Sequence, residues 1–96
     1  MGEGRFNLVE LGPGCGEKTQ ILVEAARRLE KEFEYIGIDI SESANQELGG
    51  RLEQMAVKST ILTAEYMQGL EWVATHTKDR NVIVWLGGSI SSLEVD

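Results

Sequence analysis

Phe6-Asn7-Leu8-Val9-Glu10-Leu11-Gly12-Pro13-Gly14-Cys15-Gly16-Glu17-Lys18-Thr19 is the stretch on which the fold turns. Its first six residues form a short, mostly apolar run closed by Gly12-Pro13-Gly14, the pattern of a buried strand ending in a tight turn. From Glu17 the period becomes helical. Ile21, Leu22, Ala25, Ala26 and Leu29 recur on one side, and Glu24, Arg27, Arg28 and Lys31 on the other. A strand, a glycine turn and a helix in that order open a βαβ unit.

The same alternation continues along the chain. Residues 34–40 (EYIGIDI) predict a second strand that ends at Asp39. Ser41 is placed to cap a second helix, whose inner face carries Ala44, Leu48, Leu52 and Met55. Gly49-Gly50 predicts a break in it, because each glycine costs about 1 kcal/mol relative to alanine inside a helix. Residues 57–63 (VKSTILT) give a third strand. Met67, Leu70, Val73 and Ala74 mark a third helix running to about Thr77, and residues 81–86 (NVIVWL) a fourth strand before Gly87-Gly88. This order predicts the α/β class: a partial Rossmann-like fold, with a mostly parallel sheet of four strands and alternating helices. A complete doubly wound domain has about five or more strands, so residues 1–96 are expected to be one domain amounting to half of that fold. The outer edge of the fourth strand is then left for pairing with a second copy or a complementary chain.

Composition narrows the partners. With 42% hydrophobic and 26% charged residues, the 96-residue chain has a globular composition. No apolar run approaches the roughly 18–20 residues of a membrane span, and Met1-Gly2-Glu3-Gly4-Arg5 lacks the pattern of a secretory signal. A net charge of −7 and scattered basic residues point away from nucleic acid. Cys15 is the single cysteine, which excludes an internal disulfide and a multi-cysteine metal site and suits the cytoplasm. No metal is expected.

Three ligand classes compete for the glycine turn. A triphosphate loop needs four spacers between its outer glycines and a small residue before the lysine; here three spacers separate Gly12 from Gly16, and Glu17 precedes Lys18. A dinucleotide fingerprint needs its third glycine at position 17, and Glu17 stands there instead. Glu10 and Glu17 would both oppose a pyrophosphate. S-adenosylmethionine (SAM) has no phosphate and carries a sulfonium and an ammonium group, so acidic neighbours suit it. Asp39, about 20 residues beyond the turn at the end of the second strand, is placed to accept hydrogen bonds from ribose hydroxyls. Glu65 follows the third strand, where it can accept from an adenine amino group with Tyr66 packing beside the ring.

These residues also carry a resemblance. Leu8 to Thr19 resembles the cofactor loop of the histidine-specific SAM-dependent methyltransferases, whose form is ELGSGxxEKT; the Glu-Lys-Thr tail is the distinctive part. Tyr35-Ile36-Gly37-Ile38-Asp39-Ile40-Ser41 is similar to that family's second-strand motif, and Trp85-Leu86-Gly87-Gly88-Ser89-Ile90-Ser91-Ser92-Leu93 to its fourth-strand segment. The resemblance implies a SAM-dependent methyltransferase acting on a small amine or amino acid. It implies cofactor contacts at Gly12, Lys18 and Asp39, with Lys18 reaching the methionine carboxylate, and puts Glu65-Tyr66 near the family's Asp-Phe adenine contact; the turn itself adds Glu10, Gly14 and Gly16 as expected contacts. It also puts Gly88, Ser89 and Ser92 toward the methyl acceptor. The family's Gly-Asn pair is Ser91-Ser92 here; serine lacks the paired donor and acceptor of an amide, which points away from histidine as acceptor.

The remaining conspicuous residues read as structural. Cys15 fills the loop without a histidine nearby in sequence, and His76 suits the negative end of the third helix. Trp72 and Trp85 read as packing residues, Glu10 as a bond to the loop as readily as a ligand contact, and Glu30-Lys31-Glu32 as a solvated helix end. No catalytic residue is assigned. The alternatives to an enzyme are a non-catalytic homologue that pairs with another chain, and a nucleotide-binding module.

Overall fold

In the computed structural model, which describes residues 5–85, the buried run Phe6–Leu11 is β1, and the sheet is built around it. The chain continues through α1 (Glu17–Arg27), β2 (Phe33–Asp39), α2 (Glu42–Gln54), β3 (Ser59–Thr63), α3 (Tyr66–His76) and β4 (Arg80–Val84). All strand pairs are parallel and the spatial order is β3-β2-β1-β4. Every residue of β1 is buried because it has a strand on each side and a helix layer on each face.

Alternation along the strands divides the core in two. Phe6 and Leu8 join Tyr35, Val84, Val23, Ala26, Leu48 and Leu52 on the face covered by α1 and α2. Val9 and Leu11 join Ile36, Ile38 and Val73 on the face covered by α3. The chain reverses its direction of travel across the sheet between β1 and β4. A parallel sheet opens a crevice at the carboxyl ends of its strands at such a point, which is where ligands bind in open α/β sheets.

Two helices differ from the sequence-based expectation. In α1 the buried stripe is Thr19, Val23 and Ala26, whereas Ile21 is 69% and Leu29 58% exposed. The inward Thr19 is satisfied there: its hydroxyl donates to the buried Glu10 carboxylate at 2.6 Å, while Val23 and Ala26 pack on the core beside it. In α2 the Gly49-Gly50 break is absent, and the helix runs unbroken to Gln54. Ser41 Oγ accepts from the Ala44 amide at its start and Leu48 and Leu52 are buried along its length. Packing of that face outweighs the propensity cost of two glycines. A Cβ at Gly50 would meet nothing within 4 Å, so Gly50→Ala is expected to stabilise the fold by about 0.5–1 kcal/mol in thermal or urea unfolding.

At the opposite end of the sheet from the crevice, Arg5 lies 3.2 Å from each of Glu32, Glu34 and Asp79 and ties the starts of β1, β2 and β4 together. Beside it an open groove of about 860 Å³ runs along α1 and β4, with Leu8, Val82 and Val84 in its floor and Leu22, Ala25 and Leu29 in its wall. Among the described residues the outer edge of β4 pairs with no strand. No helix among them is long and apolar enough to cross a membrane.

Candidate functional site

The loop from Gly12 to Gly16 leaves β1 at the crevice. Gly12, Gly14 and Gly16 have φ of 67°, 61° and 96°, the left-handed region that side chains disfavour. Gly12 N–H donates to Ile38 O at 2.8 Å, extending the ladder by one rung, and Gly16 N–H closes the turn on Pro13 O at 3.2 Å. The three glycines then face different surroundings. A Cβ at Gly12 would lie 2.5 Å from the Tyr66 hydroxyl, and one at Gly16 would lie 2.8 Å from Leu48 Cδ1. At Gly14 it would meet nothing within 4 Å, so this is where the loop is open.

Asp39 joins the loop to the rest of the crevice. Its Oδ2 accepts from Gly14 N–H at 3.0 Å and its Oδ1 from Ser41 N–H at 3.1 Å. Each oxygen has a further lone pair, and the residue is only half-buried, so the carboxylate can hold the loop and still accept from a ligand. The Asp39 carbonyl is bound as well, by Ala64 N–H at 3.1 Å and by Asn45 Nδ2 at 3.1 Å. Asn45 Nδ2 also donates to Thr63 Oγ1 at 2.9 Å, so one buried side chain clasps the ends of β2 and β3. Asn45 was not expected from the sequence. Its signal is an amide one position beyond Ala44, on the inward side of α2 and six residues past Asp39.

Glu65 and Tyr66 arrive at the same crevice from β3, as the N-cap and first residue of α3. Glu65 is exposed, and the Tyr66 ring packs edge-on against Trp85, with centroids 5.3 Å apart. Lys18 is exposed in the first turn of α1, at the end where backbone N–H groups lack helical partners. Gly88, Ser89 and Ser92 lie outside the described residues. His76 ends α3, its ring stacked on Trp72 at 4.3 Å and its Nδ1 2.9 Å from Trp72 O.

Glu10 is buried and bonded within the chain. It is 1% exposed, on the α1 side of the sheet, and its Oε1 accepts from Thr19 Oγ1 and from Tyr35 Oη at 2.8 Å. Alternation in β1 sends residue 10 to that face, whereas Glu17 is exposed in the first turn of α1. Burial pushes the Glu10 carboxyl above its ordinary range, and the bonds from Thr19 and Tyr35 offset part of that rise. Burial, and next the Glu10 charge, push the Tyr35 hydroxyl up in turn.

A raised carboxyl binds its proton more tightly in the folded than in the unfolded chain. Its stabilising contribution is therefore fully present below the unfolded value of about 4.3 and is lost as pH rises through the folded value. Glu10→Gln keeps an acceptor oxygen for both hydroxyls and cannot titrate. In melting curves between pH 4.5 and 8, the stability of the native chain relative to this variant is expected to fall as pH rises. A pH-independent difference would contradict the buried-charge account.

The chain belongs to the histidine-specific SAM-dependent methyltransferase family, whose model matches residues 1–96, its whole length. The cofactor of the family is SAM, and the crevice fits it: three left-handed glycines leave backbone open at Gly14, and a half-buried carboxylate stands at the end of the neighbouring strand. No curated protein gives a match to the chain.

Proposed function

We propose that this chain is the cofactor-binding part of an N-methyltransferase for a small amine or amino acid. The observation that carries the reading is the Asp39 carboxylate, which bonds the glycine loop through Gly14 while keeping lone pairs for the ribose hydroxyls. In this reading Gly12, Gly14 and Gly16 give the cofactor close access to backbone, and Lys18 pairs with its methionine carboxylate. Glu65 accepts from the adenine amino group and Tyr66 lies beside the base. The bound cofactor supplies an electrophilic methyl group on a sulfonium. Transfer to a deprotonated amine, whose N–C bond would form as the S–C bond breaks and S-adenosylhomocysteine leaves, calls mainly for proximity and in-line orientation, so this part of the chain holds and orients. Gly88, Ser89 and Ser92 belong to the acceptor side, and the setting is the cytoplasm.

The test is release of S-adenosylhomocysteine (SAH) from SAM with a panel of amines and amino acids, histidine included. Release above the acceptor-free rate with at least one amine is the expected result. Release that never exceeds that rate with any acceptor overturns the assignment of activity to this chain.

A second reading is favoured by the outer edge of β4, which pairs with no strand among the described residues, and by the apolar groove next to it. Here a second polypeptide adds a strand to β4 and lays a helix over Leu22, Leu29 and Val82, covering a sheet face that parallel sheets keep buried. Light scattering after size exclusion tests the self-pairing form of this reading, which expects a dimer and is contradicted by a monomer across the accessible concentrations.

A further inference from the structure

We infer that Tyr66 and Trp85 form an aromatic wall that senses the positive charge of the cofactor's sulfonium, an inference that rests on SAM binding in the crevice. The two residues come from different elements and meet at one place. Tyr66 opens α3, Trp85 follows β4, and their rings contact edge-on at 5.3 Å and 74°. Both lie against Gly12. A Cβ there would be 2.5 Å from Tyr66 Oη, 3.6 Å from Tyr66 Cζ and 3.9 Å from Trp85 Nε1. Gly12 is the residue at which β1 enters the cofactor loop, and the sheet order reverses between β1 and β4. Neither residue is fully buried, although both pack on the core formed by Val9, Leu11 and Ile38. Core packing alone accounts for their inner faces. It does not account for two large aromatic side chains left partly open beside the first glycine of a ligand loop.

The chemistry of the ligand gives these rings a task. SAM and SAH share adenine, ribose, ammonium and carboxylate, and differ by one methyl group and one positive charge. Contacts to the shared groups act on both alike. An aromatic ring attracts a cation through its quadrupole, and Trp does so most strongly. The wall therefore contributes to SAM binding and little to SAH binding. It favours the charged cofactor over the neutral product, so that SAH competes less with SAM.

Titration calorimetry with SAM and with SAH separates this from a purely steric role. Trp85→Leu is expected to lower the SAM-to-SAH affinity ratio by about 3- to 10-fold. SAH affinity should stay within about 2-fold, since the variant removes a cation-binding ring and no contact to the shared groups. Tyr66→Leu, which also removes the ring beside the base, should weaken both ligands and still lower the ratio, whereas Tyr66→Phe, which keeps the ring, should leave the ratio unchanged. Trp85→Phe should fall between wild type and Trp85→Leu, and serves where the leucine variant does not fold. Equal losses of SAM and SAH affinity in Trp85→Leu would overturn the inference while leaving the cofactor reading in place. So would a drop in the ratio for Tyr66→Phe as large as for Tyr66→Leu, since that would assign the effect to the hydroxyl. Failure of the unaltered chain to bind either ligand would remove the cofactor reading itself, and the inference with it.

Discussion

Asp39→Ala is expected to weaken SAH binding by about 100- to 1,000-fold, with the fold retained. Two losses combine. The carboxylate's remaining lone pairs no longer accept from the ribose hydroxyls, and hydrogen bonds to a charged group contribute about 1.5–3 kcal/mol each. Gly14 N–H and Ser41 N–H also lose their acceptor, so the loop is no longer held to the end of β2. Two such bonds near the lower end of that range correspond to about 3–4 kcal/mol, which sets the range given. Stability should change much less, because Asp39 is half-buried and water can satisfy both amides. Asp39→Asn should fall between. Its one oxygen can serve Gly14 or Ser41, and its amino group then faces the other N–H as donor against donor. Titration calorimetry on the three proteins checks the order, with melting curves confirming that each is folded.

Gly69→Ala is expected to destabilise the fold by about 1–2 kcal/mol, although it places alanine inside a helix. The propensity gain there is about 1 kcal/mol. Against it stands a collision: a Cβ at Gly69 would lie 2.4 Å from Ile38 Cγ2, 2.7 Å from Cδ1 and 2.9 Å from Cγ1. Ile38 is fully buried in the middle of the sheet and cannot swing away. Overpacking of this kind costs about 1–3 kcal/mol, and the close approach of α3 to β2 puts Gly69 toward the upper part of that range. The melting temperature should fall by about 4–8 °C per kcal/mol lost for a chain of this size. Combining it with Ile38→Ala, which removes all three colliding atoms, should cost less than the sum of the single changes. The opposite sign expected for Gly50→Ala shows that space, and not helix propensity, decides the two cases.

The element order was legible because each strand is a short β-rich run and each helix shows its own apolar period. What was hidden depends on contacts between residues far apart in sequence. Thr19 looks like a surface position until Glu10, nine residues earlier, is seen to hold it inward. With Thr19 inward, Val23 and Ala26 share its buried face, and Ile21 and Leu29 of the expected stripe are exposed. Continuity of α2 through Gly49-Gly50 depends on Leu48 and Leu52 packing beneath Val23 and Tyr35, which propensity does not register. In the site, Asp39 stood out because a carboxylate at the end of an apolar strand calls for a partner. That its partners already include Gly14 and Ser41 was not legible, since loop geometry determines them. Asn45 was missed for the same reason: an amide on a polar helix is unremarkable until β2 and β3 are side by side.

The central claim is that the glycine loop and Asp39 form a site for a nucleoside without phosphates. Titration calorimetry of the 96-residue chain with SAH, with ATP and NAD as comparators, tests it most directly. The account predicts saturable binding of SAH that is lost in Asp39→Ala, and no binding of either phosphate ligand. Binding of ATP or NAD in preference to SAH, or SAH binding unaffected by Asp39→Ala, would contradict it.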